Sequence, residues 1–202
     1  YERSLPMAKA NHKDTLLVYE MNGEPLPQAH GFPIRLLVSG WYGMNSVKWL
    51  TGIHVLNHEF KGFYMTERYM TQNEPGNPVP YRYYTKLRVK SIITSPVPGE
   101  IVPVDGYTLA GAAWSGEEEI SKIEISMDGG ANWGPVDVVI PPSAYSWTRW
   151  EHNWKPKGPG RYTLMSRATN SKGETQPMEF PNKWDGRGYG NNMVFPYEVE
   201  VG

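Results

Sequence analysis

Short apolar and alternating segments separated by turns fill the second half of the chain. The pattern predicts seven short strands, at residues 100–104, 107–114, 120–126, 136–140, 146–154, 160–169 and 197–201. A Pro- and Gly-rich stretch at 95–99 precedes them, and the character of the chain changes near residue 91. Many short strands of this kind are typical of an immunoglobulin-like β-sandwich.

The first half mixes apolar segments with turns. Residues 1–13 predict a short helix capped by Ser4, with Pro6 in its first turn. Residues 15–19, 34–38 and 53–56 are apolar enough to predict strands, and a strand-like run covers 81–93. The Asn22-Gly23 pair predicts a turn, and the Asn-, Pro- and Gly-rich segment 71–80 predicts a loop.

Composition narrows the class of protein. The 202 residues include 21 Gly and 18 Pro, which disfavours a long helix bundle. The formal charge of −1, without long runs of Lys or Arg, disfavours a general surface for nucleic acid or anionic membranes. This overall charge is still compatible with a local basic pocket.

The chain contains no cysteine, so it offers no disulfide, zinc–thiolate site, iron–sulfur ligand or cysteine nucleophile. No apolar segment approaches the roughly 20 residues that span a bilayer. Tyr1 opens no signal peptide. The missing initiator Met suggests processing or a chain that begins within something longer.

Two motifs favour structural interpretations. His54 and His58 are spaced for one helical face, but the predicted strand at 53–56 removes that face, which disfavours zinc. Residues 126–133 fit the Asp-box of sialidase propellers, which need several copies. A single copy favours an Asp-Gly turn, with Trp133 at the end of a hairpin.

The stretch 30–49 holds the strongest candidate chemistry. Arg35 opens a predicted strand, His30 lies five residues before it, and Lys48 follows a turn that contains Ser46. The Gly and Ser residues between them permit turns that expose backbone amides. Two cations, a histidine and free backbone donors point to a site for a phosphate-bearing molecule.

Several motifs resemble the sulfite oxidase family of molybdenum enzymes. The segments His30-Gly-Phe-Pro-x-Arg35, Gly-Trp-Tyr-Gly and Ser46-Val-Lys-Trp-Leu50 resemble its pterin-binding region. Residues 5–10 and 19–26 resemble the same family. Residues 106–116, 126–133 and 188–192 resemble its dimerisation domain. The resemblance implies an α+β partial molybdopterin-binding domain at 1–90, the C-terminal half of a catalytic domain. It implies an all-β immunoglobulin-like sandwich at 91–202 that pairs subunits.

The resemblance also implies roles for individual residues. His30, Arg35, Ser46 and Lys48 would bind the pterin phosphate or its surroundings. An arginine fork and a lysine point charge suit a phosphate. Tyr69 falls where the family places its active-site tyrosine, with a packed aromatic as the alternative. Arg149 would reach the oxyanion pocket from the dimerisation domain, with a surface arginine as the alternative.

The implied activity is oxidation of sulfite to sulfate with a molybdenum–molybdopterin cofactor. Electrons would pass to a cytochrome c-type acceptor, and the enzyme would be a homodimer in the periplasm or, alternatively, the mitochondrial intermembrane space. Two alternatives stay open: an oxidoreductase acting on nitrate or sulfane sulfur, and a cofactor-free fragment that only dimerises. The family binds its molybdenum through a cysteine thiolate, and because this chain has none, no metal ligand is predicted within it.

Overall fold

The computed structural model describes residues 1–72, 81–179 and 188–202. These residues form two compact units. The first contains 1–72, 81–87 and 188–190, and the second contains 88–179 and 191–202. The described part of the chain is mostly β, with few helices.

Short antiparallel strand pairs and single-turn helices build the first unit. Strand β1 pairs with β4, β2 with β3, and β5 with β6. Two 3₁₀ turns, Gln28–His30 and Gly43–Asn45, flank β4. The helices are α1 (Met7–Ala10) and α2 (Phe63–Thr66); the strands are β1 (Thr15–Val18), β2 (Glu20–Met21), β3 (Glu24–Pro25), β4 (Arg35–Val38), β5 (Met70–Gln72) and β6 (Tyr81–Tyr83).

The predicted N-terminal helix and the strands at 15–19 and 34–38 are confirmed by α1, β1 and β4. The predicted cap is wrong, because Pro6 occupies the N-cap position and no side chain caps the helix. The predicted loop at 71–80 gives way at its start to β5, and its residues 73–80 lie outside the described residues.

The predicted strand at 53–56 is also wrong, since these residues adopt no regular structure. Ile53 and Val55 are 66% and 79% exposed. A strand needs a neighbouring strand for its backbone bonds and a core for its apolar face, and this segment has neither among the described residues. The predicted run at 81–93 divides into β6 and a strand of the second unit.

Two sheets pack face to face in the second unit. The first has the strand order β11-β10-β14-β15-β8, and the second has the order β12-β13-β9-β7. All of these pairs are antiparallel except β15 with β8. The strands are β7 (Lys90–Ser95), β8 (Ile101–Val102), β9 (Tyr107–Trp114), β10 (Ile120–Ser126), β11 (Gly134–Pro135), β12 (Asp137–Ile140), β13 (Thr148–Trp154), β14 (Gly160–Asn170) and β15 (Tyr197–Val201).

The inward faces of both sheets form one core around Trp150. Leu109, Ile125 and Leu164 are fully buried beside it, as alternation along their strands requires. The indole nitrogen of Trp150 donates to Ser91 Oγ at 3.2 Å, so its polar atom is satisfied inside the core. A Cβ on Gly111 would lie 2.1 Å from the Trp150 ring. Only glycine leaves room for that ring.

The Asp-Gly turn after β10 is confirmed as a hairpin turn. Asp128 accepts hydrogen bonds from the side chain and the backbone of Asn132 at 2.8 and 2.9 Å, and from Ser126 Oγ at 2.7 Å. These bonds lower the pKa of the Asp128 carboxyl to about 2. Trp133 closes the turn by donating from its indole nitrogen to Gly130 O at 3.0 Å.

Each of the two helices in the described ranges is a single turn, so neither could cross a membrane.

Candidate functional site

A tight turn before β4 brings the two predicted cations together. The 3₁₀ turn Gln28–His30 ends at Gly31, whose φ of +111° favours glycine. A Cβ on Gly31 would lie 3.1 Å from the Cβ atoms of both Arg35 and Lys48. The stems of these two residues therefore lie against the same backbone position.

Arg35 is held by carbonyl groups on both sides of β4. Its Nη1 donates to His30 O at 3.0 Å, and its Nη2 donates to Ser46 O at 3.2 Å. Ser46 is buried, and its hydroxyl accepts the backbone N–H of Val38 at 3.0 Å. Ser46 thus uses its side chain to fix the strand and its carbonyl to fix Arg35.

Lys48 reaches the same turn from the other side. Its Nζ donates to Ala29 O at 2.8 Å and lies 4.9 Å from the centroid of the Trp49 ring. Trp49 has a positive φ of 51°, unusual for a bulky residue, and donates from its indole nitrogen to Gln28 O at 3.0 Å. Strained backbone of this kind is often found at functional sites.

The charge of this cluster is not neutralised within the part of the chain that the structure describes. Neither Arg35 nor Lys48 pairs there with a carboxylate; both donate to neutral carbonyl oxygens. His30 is exposed, and its backbone carbonyl accepts one of the Arg35 hydrogen bonds. A phosphate offers these donors a charged acceptor, which makes stronger hydrogen bonds than a carbonyl. The residues therefore fit the phosphate end of a cofactor.

Tyr69 lies in an aromatic group of the first unit. Its half-buried ring stacks on Tyr64 with centroids 6.2 Å apart and meets the Tyr189 ring edge-on at 4.8 Å. Its hydroxyl has no hydrogen-bond partner among residues 1–72, 81–179 and 188–202. A phenol held by its ring with a free hydroxyl can bond to an added oxygen atom.

Arg149 belongs to the second unit, on β13. It is exposed, whereas its neighbours Thr148 and Trp150 are buried, so it lies on the outer face of its sheet. It pairs across the sheet with Ala112 and with Ile140. No hydrogen bond or ion pair holds its guanidinium within the described ranges.

Sequence reasoning missed a second buried polar group in the first unit. Arg3 donates from Nη2 and Nε to Asn45 Oδ1 at 2.8 and 3.2 Å, and its Cζ lies 5.8 Å from the Tyr69 ring centroid. Asn45 is fully buried. These residues are far apart in sequence, so neither residue spacing nor a motif predicts the contact.

The described residues contain no cluster of side chains of the kind that holds a metal ion. No group of three His, Asp or Glu side chains gathers there, and the chain has no cysteine. The donor set thus suits the organic part of a cofactor and supplies no thiolate for its metal.

An open depression of about 330 Å³ lies in the second unit. It is lined by Gly106, Tyr107, Thr108, Asn153, Trp154 and Lys155. Thr108 Oγ1 donates to Asn153 Oδ1 at 2.9 Å, so these polar groups satisfy each other. None of the predicted site residues lines it.

Comparison with known protein families gives two matches. The model described as the oxidoreductase molybdopterin binding domain matches residues 1–64. The model described as the Mo-co oxidoreductase dimerisation domain matches residues 82–202, more than half of the chain.

Related proteins agree with these matches. The chain is 32% identical over 218 residues to mitochondrial sulfite oxidase of Homo sapiens, covering all of this chain and 39% of the relative. It is 32% identical over 204 residues to sulfite oxidase of Gallus gallus, covering 93% and 44%. It is 30% identical to a nitrate reductase [NAD(P)H] of Hordeum vulgare, covering 98% and 25%. The chain thus spans less than half the length of these relatives.

A solved structure extends the comparison to three dimensions. The sulfane dehydrogenase SoxCD from Paracoccus pantotrophus matches with a TM-score of 0.85 and 29% identity, over 96% of this chain and 50% of that one. The motifs at 30–50 and in the second half had predicted this relationship, and it is confirmed. Sequence motifs, family models and structure agree that the chain belongs to the sulfite oxidase family of molybdenum-cofactor oxidoreductases.

Proposed function

We propose that this chain forms part of a molybdenum-cofactor enzyme that oxidises sulfite to sulfate. The observation that carries the proposal is the convergence of Arg35 and Lys48 on one turn, with no carboxylate to neutralise them in the described ranges. The family models and the sulfite oxidase relatives support the same activity. Residues 1–90 would be the pterin-binding part, and 91–202 the immunoglobulin-like part.

The cation cluster would hold the phosphate of the pterin. Arg35 can turn N–H groups from the His30 and Ser46 carbonyls to phosphate oxygens, and Lys48 adds a point charge. His30 would add a third donor from the exposed end of the turn. Ser46 would contribute by keeping β4 and Arg35 in place, through its hydroxyl and carbonyl.

Two further residues would bind and orient the substrate. When bound, the molybdenum cofactor supplies the two-electron redox chemistry. Tyr69 would donate its free hydroxyl to an oxygen of the substrate, because its ring is already fixed by Tyr64 and Tyr189. Arg149, which is exposed on β13, would provide positive charge for an oxyanion.

The second unit would pair two copies of the chain into a homodimer, in keeping with the description of the family model that it matches. Electrons would leave to a cytochrome c-type acceptor. The enzyme would work in the periplasm or, alternatively, in the mitochondrial intermembrane space, the former suggested by the bacterial neighbour and the latter by mitochondrial relatives.

A second substrate has specific support. The structural neighbour with a TM-score of 0.85 is a sulfane dehydrogenase, so a sulfane sulfur compound is the main alternative to sulfite. Nitrate is a weaker one, suggested by plant nitrate reductases at 28–30% identity.

The test uses the complete enzyme that contains this chain, purified from cells that make the molybdenum cofactor. Molybdenum and pterin are measured per polypeptide, and kcat/KM is measured for sulfite, thiosulfate and nitrate, with cytochrome c as acceptor for the sulfur compounds. We expect stoichiometric cofactor and the highest kcat/KM for sulfite. A higher value for thiosulfate would replace sulfite by the sulfane alternative. A preparation without molybdenum and pterin would support the cofactor-free dimerising fragment.

A further inference from the structure

We propose that Arg3 and Asn45 are positioning residues for Tyr69. A buried amide fixes a guanidinium, and that guanidinium contacts the tyrosine ring in addition to its two aromatic partners. The inference rests on the proposed function in one respect, namely the role of Tyr69 in binding substrate.

The Arg3–Asn45 contact has one orientation. Asn45 is fully buried and donates from Nδ2 to the carbonyls of Tyr42 and Tyr84, both at 3.1 Å. Those bonds occupy both N–H groups of the amide, so its oxygen must face the other way. Arg3 donates to that oxygen twice, from Nη2 at 2.8 Å and from Nε at 3.2 Å.

The remaining bonds of Arg3 reach the backbone beside Tyr69. Its Nη1 donates to the carbonyl of Tyr64, and its Nη2 also lies 3.5 Å from the carbonyl of Tyr84. The N–H of Tyr84 in turn donates to the carbonyl of Tyr69 at 3.0 Å. The guanidinium of Arg3 thus contacts both α2, which precedes Tyr69, and Tyr84, whose backbone is hydrogen-bonded to that of Tyr69.

The guanidinium also lies next to the Tyr69 ring itself. Its Cζ is 5.8 Å from the ring centroid, within the range of a cation–π contact. Tyr64 stacks on the ring and Tyr189 meets it edge-on. The ring is therefore fixed by three neighbours, and Arg3 is the one that carries a charge.

The charge of Arg3 is held without a counter-ion. It pairs with no carboxylate in the described part of the chain, and burial lowers the pKa of its guanidinium. A half-buried cation without a carboxylate partner is costly to fold, which a purely structural anchor would not require. Next to a phenol that binds an anion, the same charge orders the ring and favours the anion.

The test places a ¹⁹F label in the cofactor-loaded enzyme by the substitution Tyr69→3-fluorotyrosine. Arg3→Gln should shift and broaden the ¹⁹F resonance, because the ring loses one of its three contacts. It should also lower kcat/KM for sulfite about tenfold when Tyr69 is present, and less than twofold in the Tyr69→Phe background. Arg3→Met, which keeps the stem, should do the same if Arg3→Gln folds poorly.

Arg68→Gln is the matched control. Arg68 directly precedes Tyr69 and is exposed, and its guanidinium lies over Phe63 at 5.5 Å. Both readouts should stay within twofold of the parent enzyme for this variant. An unchanged ¹⁹F spectrum in Arg3→Gln, or an equal loss of kcat/KM with and without the Tyr69 hydroxyl, would overturn the proposal.

Failure of the proposed function can be told apart from failure of this inference. If Tyr69→Phe alone leaves kcat and KM for sulfite unchanged, the substrate-binding role of Tyr69 is wrong. The ¹⁹F spectra still decide in that case whether Arg3 orders the ring. If Tyr69→Phe slows turnover but the label does not respond to Arg3→Gln, only the positioning role is wrong.

Discussion

Arg35 and Lys48 donate to neighbouring carbonyl groups of one turn, Arg35 to His30 O at 3.0 Å and Lys48 to Ala29 O at 2.8 Å. Two like charges brought to one place repel each other, and the neutral carbonyls offset this only in part. A bound dianion would relieve the repulsion and add charged hydrogen bonds.

Removing the arginine should therefore weaken cofactor binding. Arg35→Ala deletes a bidentate donor, and we expect the cofactor to bind about tenfold more weakly in the complete enzyme. Molybdenum and pterin content per polypeptide measures the effect. Arg161→Ala, which alters an exposed arginine on β14, is the control and should keep full occupancy. Full occupancy in Arg35→Ala would remove Arg35 from the phosphate site.

The geometry of the turn should be as sensitive as the charge. Gly31→Ala puts a Cβ at a φ of +111° and 3.1 Å from the stems of Arg35 and Lys48, which we expect to cost about 1–3 kcal/mol. Both the free energy of unfolding and cofactor content should fall. Gly43→Ala meets no atom within 4 Å and should leave both unchanged. Equal behaviour of the two variants would contradict the tight contact at Gly31.

The core of the second unit requires a glycine, with no side chain, at position 111. Gly111→Ala would drive a Cβ to 2.1 Å from the Trp150 ring and 2.3 Å from the Ile92 carbonyl, so we expect a loss of about 3 kcal/mol in unfolding free energy. Gly134→Ala, with no atom within 4 Å of its added Cβ, should change it by less than about 0.5 kcal/mol. Urea unfolding of both variants measures the difference.

The turn at Asp128 should make the free energy of unfolding depend on pH. Its pKa of about 2 is lower than the usual value of about 3.9 in an unfolded chain. The contribution to stability is therefore complete above about pH 4 and is lost as the pH falls through about 2. The stability difference between the parent and Asp128→Asn should be largest near pH 6 and should shrink towards pH 2. A difference that stays constant over this range would contradict the ionised hydrogen-bonded carboxylate.

Alternation predicted the second unit well because both of its sheets cover one core. The strands at 107–114, 120–126 and 197–201 match β9, β10 and β15 at both ends. The error at 53–56 has a physical cause. An apolar pattern reports that a segment can be buried, but not whether a partner surface exists, and Ile53 and Val55 find none in the described ranges.

The candidate site likewise combines contacts that the sequence could predict with contacts that it could not. Arg35, Ser46 and Lys48 lie on adjacent segments, joined by the bonds from Leu36 N to Val47 O and from Leu50 N to Ile34 O, so local spacing sufficed to group them. The contacts of Arg3 with Asn45 and Tyr69 join distant parts of the chain. Spacing carries no information about such contacts, and only the folded coordinates reveal them.

Ser46 links β4 to Arg35, since its hydroxyl accepts the Val38 amide while its carbonyl accepts the guanidinium. A buried amide exchanges its hydrogen for deuterium only when its surroundings open. Deuterium uptake at the Val38 amide would therefore report how often this segment opens. The uptake would slow when an anion rigidifies Arg35, although no ligand needs to contact the Val38 amide.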